Sequence, residues 1–329
     1  LDPCAAVQAM IRLLPGEQIE LTCMVGQVPT VLKARELVHR YRDNRSVEAA
    51  LAVTRAWWDE RLGAISTRTP EPAMDLLVNR WLLYQTLVCR LWGRSGFYQS
   101  GGAYGFRDQL QDVMALLYTS PGETRKHILR AASRQFAEGD VQHWWHPQNG
   151  AGIRSRISDD LLWLPAVVAH YVRITGDVSI LHESVPFLQA PALERSQHES
   201  LQVPAVSPLR TSLFDHCQRA IARGQTAGEH GLPLIGTGDW NDGMNKVGAG
   251  GKGESVWLAW FLADVLKGMA ELSGHLGLEE ARGKYSSDRA ALIAAVEAFA
   301  WDGQWYIRAT SDDGTPIGVA LPATMDLTV

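Results

Sequence analysis

Two aspartates, Asp239 and Asp242, flank Trp240 in the glycine-rich segment Thr237-Gly-Asp-Trp-Asn-Asp-Gly-Met244. Cleaving a glycosidic bond requires an acid that protonates the leaving oxygen and a nucleophile on the opposite face of the sugar. A loop carboxylate beside an indole is partly desolvated, which raises its pKa and keeps it protonated for that task. Asp242 is the candidate general acid on this reading, with Asp239 in a supporting hydrogen-bonding role. The competing reading is that Asp239 and Asn241 only build side-chain turns.

Three further segments carry polar chemistry. In Tyr104-Gly-Phe-Arg-Asp-Gln-Leu-Gln-Asp112, Asp108 opens a helix and Asp112 follows one turn later on the same face. Arg107 and Asp108 could hold sugar hydroxyls through charge-assisted hydrogen bonds, or form a helix-dipole ion pair. Arg154-Ser-Arg-Ile-Ser-Asp-Asp160 places Asp159 where it either caps a helix or binds a hydroxyl. Gln142-His-Trp-Trp-His-Pro147 offers Trp144, Trp145 and His146 as a sugar-contacting group, because indole faces stack on sugar rings while polar neighbours take the hydroxyls. His143, His146 and His230 have no zinc-protease spacing, so hydrogen-bonding histidines and no metal are expected. Glu254 begins a helix, where an acidic residue needs no further function.

These residues need a scaffold, and its periodicity is mostly helical. Helices are predicted over 31–41, 46–62, 73–93, 107–119, 122–137, 158–174, 208–223, 254–273 and 286–299. The 73–93 helix carries Leu77, Trp81, Tyr84, Val88 and Leu91 on one face and Leu76, Leu83 and Leu87 on another. It is therefore expected to be buried on two sides, as are 158–174 and 254–273. Between helices lie long loops, 138–157, 189–207 and 224–253, of a length commonly tied to function. Residues 1–27 differ: Ile19, Leu21, Cys23 and Val25 alternate with polar or small residues, a strand signature.

Composition excludes several classes. The chain has 329 residues, 46% apolar, with a formal net charge of -5 and both signs interspersed, unlike a nucleic-acid surface. No apolar run approaches the roughly 20 residues that cross a bilayer, and no leader pattern opens the chain, so a cytoplasmic location is expected. The four cysteines, Cys4, Cys23, Cys89 and Cys217, form no paired motif; Cys89 and Cys217 are expected as buried free thiols. Twelve tryptophans are the most unusual feature.

Taken together, the segments 105–112, 140–147, 158–165, 231–245, Gly253-Glu-Ser-Val-Trp257 and Trp301-Asp-Gly-Gln-Trp-Tyr306 resemble the inverting glycoside phosphorylases typified by cellobiose and chitobiose phosphorylase. Within that group the chain most resembles the C-terminal phosphorylase-like domain of cyclic β-1,2-glucan synthases and 1,2-β-oligoglucan phosphorylase. The resemblance implies a mainly α chain: an incomplete (α/α)6 barrel over 63–329, linker helices over 28–62 and the tail of a β-sandwich over 1–27. It implies Asp242 as general acid, and Trp240 and Asp108 as contacts in the donor subsite. Inorganic phosphate would be the nucleophile and co-substrate, with no cofactor, and a β-glucan or oligosaccharide the other partner.

There are two departures from the pattern. Cellobiose phosphorylase-like members carry Arg at the position of Gly102, so cellobiose is not the expected substrate. The loops that hold phosphate in the family have no counterpart here, and after Pro316-Ile-Gly318 the chain leaves the pattern. A truncated chain, with oligomers or association with missing domains, is the expectation, and the resemblance leaves open a longer parent protein attached to the inner membrane. Two alternatives stand beside phosphorolysis: an inverting hydrolase with Asp108, Asp159 or Glu254 as base, and a non-catalytic carbohydrate-binding remnant.

Overall fold

A computed structural model describes residue 4 and residues 6–94, 101–194 and 196–319. It divides into two compact units, Leu1–Ala64 and Ile65–Val329. The protein is mainly α.

In the first unit, α1 (Val31–Arg40) starts where the Thr30 hydroxyl accepts from Lys33 N. α2 (Asn44–Leu62) starts at Asp43, whose carboxylate accepts from Ser46 N. The predicted strand around Ile19–Val25 does not form: the described part of 1–27 belongs to no ladder, and Ile19, Leu21 and Val25 are exposed. Alternation makes a segment fit for a sheet, but a strand needs a neighbour to take its backbone groups, and none is paired with it here.

The second unit opens on α3 (Pro72–Leu76), followed by wide helical turns at Leu77–Trp81 and Thr86–Trp92 on either side of α4 (Leu82–Gln85). The single helix predicted over 73–93 is broken at Asn79 (φ -75°, ψ 110°) and Arg80 (φ 72°). The Asn79 amide is the cause that can be named. It accepts from Thr67 N at 2.7 Å and donates to Thr67 O at 2.9 Å, tying the chain to the segment before it. Burial is also one-sided: Leu83, Leu87 and Leu91 are buried, whereas Leu76, Leu77 and Trp81 are exposed.

Six helices follow: α5 (Phe106–Met114), α6 (Pro121–Ala132), α7 (Trp163–Thr175), α8 (Leu213–Gly224), α9 (Val256–His275) and α10 (Glu279–Phe299). The helices α7 and α9 are apolar on most sides, and both are buried as their sequences require. α9 packs between α7 and α10, and α5 packs on α6 and α7. At Gly268 a Cβ would lie 2.7 Å from the Ala169 Cβ, so glycine there lets α9 approach α7 closely. Cys217, on α8, is a fully buried free thiol, and Cys89 is half-buried.

Short strands occupy segments predicted as loops. β1 (Tyr104–Gly105), β2 (Gln142–Trp145), β3 (Gly152–Ser155) and β5 (Glu199–Gln202) form one antiparallel sheet in that order. β4 (Ser184–Gln189) pairs with β6 (Ala205–Ser212), and β7 (Ala309–Thr310) with β8 (Pro316–Ile317). The pairing of β6 with β4 delays the helix predicted from 208 until Leu213, where Ser212 caps it. The register of β2 with β1 and β3 sets the 142–145 segment beside the start of α5.

Candidate active site

The loop that carries Asp242 is anchored from below. The Ser158 hydroxyl donates to Ile235 O (3.0 Å) and Gly238 O (3.1 Å). A Cβ at Gly236, where φ is 63°, would lie 2.4 Å from Arg156 O, so the backbone there needs glycine. Asp239 is fully buried and accepts from Ser255 Oγ (2.6 Å), Arg308 Nη2 (2.5 Å) and Asn241 N (3.1 Å). Burial opposes its charge, but these hydrogen bonds outweigh it and hold the carboxyl below the usual range. Its oxygens are occupied inside the protein, where they fix the loop. Arg308 and Ser255 were not singled out from sequence. Ser255 follows Glu254 at the head of α9, and Arg308 lies 69 residues from Asp239, so no local signal joins them.

From this base a short 3-10 turn, Asp242–Met244, projects outward, with Asn241 Oδ1 accepting from Gly243 N. The Asp242 carboxylate remains 53% exposed, and Trp240 is 52% exposed. The desolvation by the indole expected from sequence is absent, because both side chains lie on the outer face of the loop. What holds Asp242 is Arg107, whose Nη2 donates to Oδ1 at 2.9 Å.

Arg107 comes from the first turn of α5 and is itself buried. Its Nη1 donates to both oxygens of Asp159 (3.0 and 3.1 Å) and to Asp239 O (3.2 Å). Burial acts against its charge, but Asp159, Asp160 and Asp242 together hold it above its ordinary pKa. Asp159 is fully buried and also accepts from Trp163 Nε1 at 2.9 Å. Burial first, and then Asp160, push Asp159 up to about 7 against the pull of Arg107. Arg107 and Asp159, expected to take sugar hydroxyls, are both buried and bonded to each other. Through Arg107 the pair reaches the loop, at Asp239 O and Asp242 Oδ1, and orients Asp242.

Beside this cluster lies a cavity of about 450 Å³, lined by Arg90, Arg94, Tyr104, Asp108, Asp112 and Trp144. Asp108 is exposed, 3.6 Å from Arg90 Nη2, and its carboxylate occupies space that a side chain at residue 105 would fill. Asp112 accepts from Arg90 Nε at 3.0 Å; burial raises it to about 6 although Arg90 opposes the shift. Trp144 is half-buried at the cavity, with His146 edge-on to it at 5.4 Å. Trp145 is fully buried against Tyr104 and Phe106, at 5.5 and 6.4 Å between ring centres. Successive strand residues point to opposite faces, so Trp145 belongs to the core and leaves the sugar-contacting set. Glu254 is also buried: it accepts from the main-chain N–H groups of His230 and Leu232 and pairs with the His230 ring. Among the described residues no cluster of side chains could hold a metal ion, and no helix is long and apolar enough to cross a membrane.

This polar cavity, with Tyr104 and Trp144 in its wall, and the exposed carboxylate of Asp242 stand on a mainly α scaffold, and the comparisons with known proteins assign the family. Residues 57–323 match the catalytic domain of the glycosyl hydrolase 94 superfamily, and residues 1–44 match the glycosyl hydrolase 94 supersandwich domain. The chain belongs to the glycosyl hydrolase 94 superfamily. It is 44% identical over 328 residues to a cyclic beta-(1,2)-glucan synthase, NdvB, of Rhizobium meliloti (strain 1021), covering 97% of this chain and 11% of that protein. It is 28% identical over 345 residues to the N,N'-diacetylchitobiose phosphorylase of Vibrio furnissii, covering 96% and 40%. To the 1,2-beta-oligoglucan phosphorylase of Listeria innocua serovar 6a it is 24% identical over 249 residues, covering 73% and 22%. The chain thus spans well under half of each of these relatives.

Proposed function

We propose that this chain carries the acid half of a glycosyl-transferring site that acts on β-1,2-glucan by inverting phosphorolysis, or that serves the same chemistry within a glucan synthase. The observation that carries the reading is the exposure of Asp242. It is an exposed carboxylate on a loop anchored by hydrogen bonds, whereas Asp159, Asp239 and Glu254 are buried with their oxygens engaged. An exposed loop acid oriented by Arg107 suits a reaction whose nucleophile is supplied from outside as phosphate. An inverting hydrolase needs a second carboxylate, about 6.5–9.5 Å from the acid, to activate water. Of the three bases considered from sequence, only Asp108 keeps an exposed carboxylate, so it alone sustains that second reading.

On the proposed reaction, Asp242 gives its proton to the glycosidic oxygen as the bond to the anomeric carbon breaks. Phosphate attacks that carbon from the opposite face, with inversion, yielding glucose 1-phosphate. Trp240 and Trp144 offer faces for sugar rings, and Asp108 accepts from hydroxyls in the donor subsite. No cofactor enters this scheme. We place residues 63–329 in part of an (α/α)6-barrel catalytic domain, 28–62 in a linker and 1–27 in the tail of a β-sandwich. The division after Ala64 and the two family matches support that layout, although the supersandwich match runs on to residue 44. We further propose a cytoplasmic site of action and association with further domains or copies.

Incubation with β-1,2-glucan, with and without phosphate, tests the reading. Phosphate-dependent glucose 1-phosphate is expected from a protein that carries this chain together with the phosphate-holding loops of the family. Free glucose released at the same rate without phosphate would favour the hydrolase.

A further inference from the structure

The charges around Arg107 continue one pair beyond those that touch the loop. His143, on β2, bonds through Nδ1 to Asp160 Oδ2 at 2.7 Å. Asp160 is fully buried in the turn before α7, and its Oδ1 has no hydrogen-bond partner among the described residues. His143 is the member of the pair that reaches solvent, 22% exposed against 2% for Asp160. The charge of Asp242 acts on both of them. The groups facing one another are Arg107 from α5, His143 from β2, Asp159 and Asp160 from the turn, Trp163 from α7 and Asp242 from the loop. Two cations therefore serve three carboxylates.

We propose that His143 and Asp160 are positioning residues for Asp242: their ion pair completes a five-membered charge array that keeps Arg107 on the acid, and His143 is the point at which solvent pH reaches that array. This rests on the reading of Asp242 as the acid. A buried carboxylate that loses its cation takes a proton or recruits the nearest remaining cation. For Asp160 that cation is Arg107, whose charge already acts on it, and Asp160 Oδ1 stands open to receive a donor. Deprotonated His143 would thus leave Arg107 shared among three carboxylates and loosen its hold on the exposed one. Burial lowers the pKa of His143, but the bond and charge of Asp160 outweigh it and raise it to about 9. The array is accordingly complete at neutral pH and loses its second cation as pH rises through that value.

The test follows the His143 ring by NMR in the 329-residue chain with ¹⁵N-labelled histidine, its signal assigned by its loss in His143→Gln. A titration midpoint above the ordinary value of about 6.5 is expected. Asp160→Asn should lower it most. Asp242→Asn, at an exposed loop position that the fold does not need, should lower it by up to about one unit, the small end of the effect of a nearby carboxylate. A midpoint unmoved by Asp242→Asn would overturn the coupling. In phosphorolysis, His143→Gln keeps a donor for Asp160 but no charge; turnover should fall and the alkaline limb of the rate profile should move to higher pH. A profile of wild-type shape and position would also overturn the proposal. Undiminished phosphorolysis by Asp242→Asn would instead refute the acid reading and leave the His143 titration to stand by itself.

Discussion

Replacing Arg107 by Met removes the cation on which the buried carboxylates and the loop converge. Breaking a buried ion pair from one side typically costs about 3–5 kcal/mol, because the remaining charge is left uncompensated. Here the cost should depend on pH, and the sign can be worked out. Asp159 stands at about 7 in the folded protein, raised above its unfolded value, so its ionisation destabilises the fold as pH rises. Without Arg107 it keeps its proton to still higher pH. The mutant fold therefore binds one proton more than the wild type above about pH 7, and each unit there adds about 1.4 kcal/mol to the loss. Between pH 7 and pH 9 the extra loss is roughly 2–3 kcal/mol. Below pH 6 Asp159 is largely neutral in both proteins and the loss should be smallest. Urea unfolding of wild type and Arg107→Met at pH 5, 7 and 9 reads this directly. An equal loss at pH 5 and pH 9 would refute the assignment of Arg107 as the counter-ion of Asp159.

Other expectations follow from the same geometry. Trp145→Ala should destabilise by about 3–5 kcal/mol as a large core truncation, whereas Trp144→Ala should weaken glucan binding with little change in Tm; thermal melts and a binding titration separate them. Trp240→Ala and Asp108→Ala should likewise weaken glucan binding and slow turnover without much loss of Tm, and a mutant that simply unfolds would show that residue to be structural. Asp239 has a lowered folded pKa, so its contribution is present above the unfolded value and lost as pH falls through the folded one. Asp239→Asn should therefore destabilise at pH 7 and do so progressively less in acid, measured by urea midpoints across pH 2–7.

The helices were the legible part of the fold. Leu164, Val167, Val168, Tyr171 and Val172 in α7, and the run from Val256 to Leu272 in α9, repeat with a helical period, and their burial follows. The strands were not legible, since β2, β3 and β5 are four residues each and the sheet is completed by the distant pairings of β1 with β2 and of β3 with β5. The converse held at Ile19–Val25, where the alternation is clear but no strand pairs with it. The kink at Asn79 and Arg80 depends on a side-chain hook to Thr67 that no periodicity reveals. At the site, sequence singled out the loop and the charged segments but assigned several contacts outward that in fact turn inward. Trp144 and Trp145 are indistinguishable by type, and only their register in β2 separates cavity from core. Arg107 and Asp159 have the chemistry to bind hydroxyls, yet their burial directs that chemistry to each other. The Asp239–Arg308 and His143–Asp160 pairs join distant segments, and only the packed structure brings them together.

The central claim is that Asp242 supplies the proton to the leaving oxygen, and leaving-group dependence tests it most directly. Turnover of Asp242→Asn should be compared with wild type on β-1,2-glucan and on a dinitrophenyl β-glucoside, whose leaving group departs without protonation. A loss of about 10²–10⁴-fold on glucan and near-wild-type turnover of the activated substrate are expected. Equal losses on both substrates, or glucan turnover above roughly a tenth of wild type where general acid catalysis is worth at least about 10², would contradict it.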